Sequence, residues 1–209
     1  MTDVTTSSPG VLAEVGEQDH VLGAASPVLT LVEYGDFGCR FFYAANRPVL
    51  SLLDRFDGLR LVWRHLPDPE LHPGADLAAE LSELAASHGK FWEAHALLLA
   101  GRESFSRQDL FAVAEQLGLE KDEAEAALDE RRFRERVLAD IESGRRAGAR
   151  GTPTFFIDGE RLEGPWRELA RIVPARFRSA SAASPDRGYQ AGTKLRKSRG
   201  NSSELSGTR

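Results

Sequence analysis

The chain carries a single cysteine, Cys39, where an apolar run gives way to a helical pattern in Tyr34-Gly35-Asp36-Phe37-Gly38-Cys39-Arg40-Phe41-Phe42. Thiol–disulfide exchange needs a thiolate. A cysteine that opens a helix meets the unpaired N–H groups and the positive dipole end there, and Arg40 adds a cation, so both favour the thiolate. Cys39 is therefore the candidate nucleophile and Arg40 the candidate thiolate-stabilising group. The plainer alternative is a buried, inert cysteine. One helical turn further stands Phe42, which cannot attack a mixed disulfide. An adduct on Cys39 would persist until an external thiol such as glutathione resolved it. Phe41, Phe42 and Tyr43 form an aromatic cluster beside the thiol. It is read either as core and rim packing or as an apolar groove for a peptide or a hydrophobic small molecule.

Other candidates carry less. Glu33 and Asp36 are possible proton carriers near the thiol, against a plainer role as loop and cap residues. His65, His72, His88 and His95 lack metal-ligand spacing, and no cysteine set for zinc exists, so no metal and no bound cofactor is expected. His95 falls on an apolar helix face and reads as a packed core histidine. No phosphate-binding loop and no serine–histidine–aspartate arrangement is visible.

The elements that must position Cys39 follow from periodicity. Val28-Leu29-Thr30-Leu31-Val32-Glu33-Tyr34 reads as a central strand buried on both faces. Val49, Leu52, Leu53 and Phe56 recur on one helix face, with Pro48 expected to kink that helix. Leu59–Leu66 alternates and reads as a second strand, parallel to the first. Residues 73–145 read as helical throughout. Ser106-Arg107-Gln108-Asp109 resembles a capping box. Roughly 110 residues after the cysteine, Gly151-Thr152-Pro153-Thr154-Phe155-Phe156-Ile157-Asp158-Gly159 opens another strand at a threonine–proline step, with Asp158-Gly159 as a hairpin turn. Trp166, Leu169, Ala170 and Val173 mark a closing helix. The order is β-α-β, a helical insertion, then β-β-α.

The 209 residues suffice for one sizeable domain. No apolar run reaches the roughly 18 residues of a membrane span. The N-terminus lacks a basic start and an apolar stretch, so no secretory signal is expected and the cytoplasm is the default compartment. Six basic and two acidic residues between Ala180 and Arg209 give that tail +4 and leave −9 for residues 1–179. The acidic body argues against nucleic acid as the main partner. Residues 1–15 are expected to be a flexible N-terminus, 16–179 the folded domain with its insertion at about 73–145, and 180–209 a disordered basic tail.

Val32-Glu33-Tyr34-Gly35-Asp36-Phe37-Gly38-Cys39, Leu61-Val62-Trp63-Arg64-His65-Leu66-Pro67, Phe91-Trp92-Glu93-Ala94-His95 and the Gly151–Gly159 segment occur in an order that resembles DsbA-like thioredoxin-fold proteins. The likeness extends to soluble bacterial members and to thioredoxin-like domains attached to some sodium/proton antiporters. It covers roughly residues 17–177. The chain departs from the pattern where Phe42 replaces the second cysteine of Cys-x-x-Cys and Arg40 replaces a common proline. The resemblance implies an α/β thioredoxin-like fold with a helical domain inserted between its halves. It implies a cis Thr152–Pro153 bond, with Thr152 and Pro153 positioning an extended substrate beside the thiol. The leading expectation is a thiol–disulfide oxidoreductase acting through Cys39 alone on disulfide or glutathionylated proteins, with glutathione as a possible co-substrate. The rivals are a redox-inactive binding module on the same fold and a glutathione-dependent transferase or isomerase. Association with a membrane antiporter rests on the resemblance only.

Overall fold

The computed structural model describes residues 12–99 and 103–183. Five strands form one sheet in the order β1-β3-β2-β4-β5: β1 His20–Gly23, β2 Leu29–Gly35, β3 Leu59–His65, β4 Thr154–Ile157 and β5 Glu160–Arg161. β2 and β3 are parallel, with Leu31 opposite Leu61 and Gly35 opposite His65. β4 runs antiparallel to β2, and β1 antiparallel to β3. The edge strand β1 has no counterpart in the periodicity reading. β3 does not alternate: from Leu61 to His65 every residue is buried. The cause is that β3 lies inside the sheet between β1 and β2 and is covered on both faces.

Helix α1, Arg40–Arg55, runs continuously through Pro48 and buries Phe42, Ala45, Val49 and Leu52. It packs with α7, Leu169–Ala183, against Leu29, Leu31, Leu59 and Leu61. Val32, Tyr34 and Val62 point to the opposite face, where Ala147, Ala149 and Phe156 complete the core. The insertion consists of α2 Ala75–Ser87, α3 Phe91–Leu98, α4 Arg107–Gln116, α5 Lys121–Asp129 and α6 Arg134–Arg146. Ser106 and Asp109 close a reciprocal capping box at the start of α4. Asp158 and Gly159 both take positive φ, as the two-residue turn between β4 and β5 requires.

The two ends of the chain correct the expected boundaries. Arg64, buried in β3, donates to the carbonyls of Ala13 and Glu14 and forks onto Asp19. Leu12 and Val15 pack on the sheet. Residues 12–15 are thus pinned to the body, because burying a guanidinium demands acceptors for its N–H groups. At the other end α7 continues to Ala183, so residues 180–183 are helical. Residues 184–209 of the expected basic tail and 1–11 of the N-terminus lie outside the described residues. Among the described residues no helix is long and apolar enough to cross a membrane.

Candidate active site

The parallel pairing of β2 and β3 brings the loops that follow them to one end of the sheet, and the loop before β4 joins them there. Asp36 fixes that end. It is 1% exposed. Its Oδ1 accepts from the Gly38 amide (2.8 Å), and its Oδ2 accepts from the Asp68 amide (2.9 Å) and His72 Nδ1 (2.7 Å). Asp36 is thus a loop organiser, tying the residue before Cys39 to the turn after β3. Gly38 must be glycine here, since an added Cβ would lie 2.5 Å from the His72 Cβ.

Cys39 is the N-cap residue of α1, with extended backbone angles and no side-chain cap bond. As a thiol it donates from Sγ to the Thr152 carbonyl at 3.1 Å. The Thr152–Pro153 peptide is cis. Cys39, Arg40, Phe41, His72, Arg150 and Thr152 all line one cavity of about 940 Å³. The Arg40 guanidinium rests over the Phe41 ring at 5.0 Å. Arg40, Arg145 and Arg150 line this cavity and make no ion pair among the described residues, while Asp68, Glu70 and Glu103 supply acidic groups to its walls.

The expected aromatic groove divides. Phe41 is 53% exposed and lines the cavity. Tyr43 is exposed but lies outside the cavity lining. Phe42 does not belong to the groove at all. It is fully buried and packs on Trp63 at 4.7 Å and His95 at 5.8 Å. The reason is helix geometry: Phe42, Ala45, Val49 and Leu52 share one stripe, and Phe41 and Tyr43 are rotated off it to either side. Pro153 also sits apart, in a smaller cleft with Arg161 and Trp166.

Two further titratable groups, Glu33 and His95, are buried in the core. Glu33 lies on β2, opposite Trp63 and Phe155. Burial pushes its carboxyl well above the usual carboxylate range, and its Oε1 has no hydrogen-bond partner. His95 sits among Phe37, Phe42, Trp63 and Trp92. Burial, then the neighbouring His65 and His20, push it down to about 3.

Folding also assembles a cluster that spacing could not show. His20, His65 and Glu83 each place a ligand atom within 4.8 Å of the others. Both His Nε2 atoms lie 2.8 Å from Glu83 Oε1. Burial works to raise the Glu83 carboxyl, but the bonds from His20 and His65 outweigh it and hold it well below the usual range. The Trp63 indole N–H, a donor only, reaches His65 Nδ1 at 3.3 Å. Nδ1 is then the acceptor and Nε2 carries the proton given to Glu83. A metal on Nε2 would instead leave Nδ1–H facing the indole N–H, the opposite of the acceptor that a ligating histidine's second nitrogen needs. The donor set therefore fits a hydrogen-bond clamp joining β1, β3 and α2 better than a metal centre.

A thiol at a helix start, a carbonyl beside it that an extended chain can use, and a helical layer inserted into an α/β sheet together define the class. The chain belongs to the DSBA-like thioredoxin domain family, which its residues 30–169 match. Among similar proteins, the Na(+)/H(+) antiporter NhaA 3 of Salinispora tropica is 38% identical over 184 residues, 85% of this chain but 28% of that longer protein. The Na(+)/H(+) antiporter NhaA of Herminiimonas arsenicoxydans is 40% identical over 160 residues, 76% of this chain and 25% of the relative. The chain thus spans about a quarter of the curated relatives it matches. Among solved structures, BdbD from Bacillus subtilis superposes with a TM-score of 0.69 at 20% identity, covering 81% of this chain and 97% of that one. A thioredoxin-like oxidoreductase from Silicibacter pomeroyi superposes with a TM-score of 0.66 at 24% identity, covering 77% and 92%. These structures share the fold.

Proposed function

We propose that this chain exchanges thiols with disulfides through Cys39 alone. The observation that carries the reading is the placement of the Cys39 Sγ at the start of α1, 3.1 Å from the Thr152 carbonyl and on the wall of a wide groove. In the thiolate form Cys39 attacks one sulfur of a substrate disulfide, forming a mixed disulfide and expelling the other sulfur as a thiolate. The attacking sulfur sits at the N-cap of α1, and Arg40 follows it on the wall of the same groove. Once the thiol gives up its proton, the Thr152 carbonyl is free to accept an N–H from an extended substrate, with Pro153 shaping the turn that holds it. Phe42 is sealed in the core, so an external thiolate attacks the mixed disulfide, taking the substrate sulfur and restoring the Cys39 thiolate.

Glutathione suits that second role. Arg40, Arg145 and Arg150, without ion pairs among the described residues, offer cations to its two carboxylates, and the acidic wall residues offer partners to its ammonium group. Glutathionylated proteins are then the natural substrates, in a reducing compartment such as the cytoplasm where small thiols are abundant. The relatives' names extend the proposal to a partner: the chain works beside a sodium/proton antiporter of that type. Co-purification with such an antiporter tests this extension.

The low exposure of Cys39, 6%, is the observation that favours the alternative of a binding module without turnover. Incubating the native protein with a glutathionylated peptide separates the two. Exchange predicts a glutathione adduct on Cys39, seen by intact mass, that excess glutathione removes and that Cys39→Ser abolishes. A native protein that forms no adduct, while its unfolded form does, refutes the exchange reading.

A further inference from the structure

We propose that His72, held by Asp36, carries the proton that passes between the incoming and the leaving thiol at Cys39. The inference rests on the single-cysteine exchange proposed above and adds to it a group that handles protons. Exchange by one cysteine needs such a group twice. The thiolate expelled from the substrate must be protonated, and the resolving thiol must be deprotonated before it attacks. With Phe42 where a second cysteine would stand, the chain has no second thiol to share either task.

His72 is built for it. Its ring is oriented by the short bond from Nδ1 to the buried Asp36 carboxyl group, 2.7 Å. Asp36 is itself immobilised by the Gly38 and Asp68 amides. The histidine packs directly on the backbone that precedes Cys39, since an added Gly38 Cβ would lie 2.5 Å from the His72 Cβ and 3.0 Å from its Cγ. It lines the same cavity as Cys39 and Thr152, with its side chain 19% exposed. Nε2 has no hydrogen-bond partner among the described residues. One ring nitrogen is anchored to a carboxyl group and the other is open in the cavity that the nucleophile also lines, an arrangement suited to acid–base transfer.

The balance closes without any further oxidant. The Cys39 thiolate attacks R–S–S–R′, forming Cys39–S–S–R while the S–S bond breaks toward R′. Protonated His72 gives its Nε2 proton to R′–S⁻, releasing R′–SH. Neutral His72 then takes the proton of the incoming thiol G–SH. The resulting G–S⁻ attacks the R sulfur and expels the Cys39 thiolate, leaving G–S–S–R. One proton has moved from G–SH to R′–SH, and the number of disulfides is unchanged.

The test varies the leaving group. His72→Gln keeps a donor for Asp36 but cannot transfer a proton. Single-turnover rates of Cys39 are measured with oxidised glutathione, whose leaving thiol is weakly acidic, and with an aromatic nitrothiobenzoate disulfide, whose leaving thiolate needs no proton. Alkylation by iodoacetamide provides a third rate. His72→Gln is expected to slow the reaction with oxidised glutathione by about tenfold or more, and to change the other two rates less than about twofold. His72→Ala, if similarly slow with oxidised glutathione, is expected to regain rate when imidazole is added. Equal slowing of all three rates, no slowing, or no rescue by imidazole overturns the role of His72 while leaving exchange at Cys39 intact. A wild-type Cys39 that is alkylated yet reacts with neither disulfide overturns both.

Discussion

Replacing Phe42 with cysteine tests the site and its packing together. The substitution puts a second thiol one helical turn after Cys39 and removes a phenyl ring that is fully buried against Trp63 and His95. Phe→Ala in a core costs about 3–5 kcal/mol, and the retained sulfur reduces that to about 3–4 kcal/mol for Phe42→Cys. For a domain of this size each kcal/mol shifts the melting temperature by about 2–4 °C, so the reduced variant should melt roughly 6–16 °C below the wild type. A total stability of about 5–15 kcal/mol leaves most of that range folded at room temperature. The assays are thermal melts of the reduced and oxidised forms, thiol counting, and reduction of insulin. The variant should form an internal disulfide, melt higher when oxidised than when reduced, and reduce insulin faster than the wild type. A reduced variant that melts within about 2 °C of the wild type would refute the core position of Phe42. An internal disulfide with no gain on insulin would refute the view that the groove and the Thr152 loop remain competent for exchange.

Further outcomes follow from the buried groups. Glu33 holds its proton more tightly folded than unfolded, so wild-type stability falls as pH rises above the unfolded value of 4.5; the melting temperature of Glu33→Gln relative to wild type should climb over that range. His95 behaves oppositely: below 6.5 the unfolded chain takes up a proton that the folded one refuses until about 3. The folded state therefore loses up to about 1.4 kcal/mol per pH unit in that window, and His95→Leu should flatten the acid limb in melts between about pH 6.5 and 5. Gly35→Ala drives a Cβ to 2.1 Å from the Trp63 ring, which is enclosed on all sides, and should cost about 1–3 kcal/mol in chemical denaturation. Ser106→Ala, which removes the α4 cap, should cost about 1 kcal/mol by the same measurement.

Much of the scaffold is legible in the residues because local chemistry and burial agree. The largely apolar run of β2, the Ser106 cap and the Asp158-Gly159 turn each announce themselves within a few residues. Strand β1 does not, since four residues at a sheet edge that end in glycine carry no period long enough to read. The depth of Phe42 was open to the same helical rule that marks Val49 and Leu52: extending that stripe two turns toward Cys39 reaches Phe42. His72 is harder. Its only signal is that it follows β3 closely, and parallel strands place their C-terminal loops at one end of a sheet. The meeting of His20, His65 and Glu83 depends on β1 pairing with β3 and on α2 crossing them, which no local pattern encodes.

The core that unites Phe37, Cys39, Phe42 and Trp63 with Leu81, Phe91, Leu98 and Leu110 of the insertion has a further consequence. An inserted domain is commonly imagined as a bolt-on module, hinged to its host and exchangeable. Here the bolt passes through the redox loop itself. The helical layer and the sheet should unfold in one cooperative calorimetric transition, and grafting a foreign insertion between β3 and β4 would reset the seat of the thiol even with every residue of the loop retained.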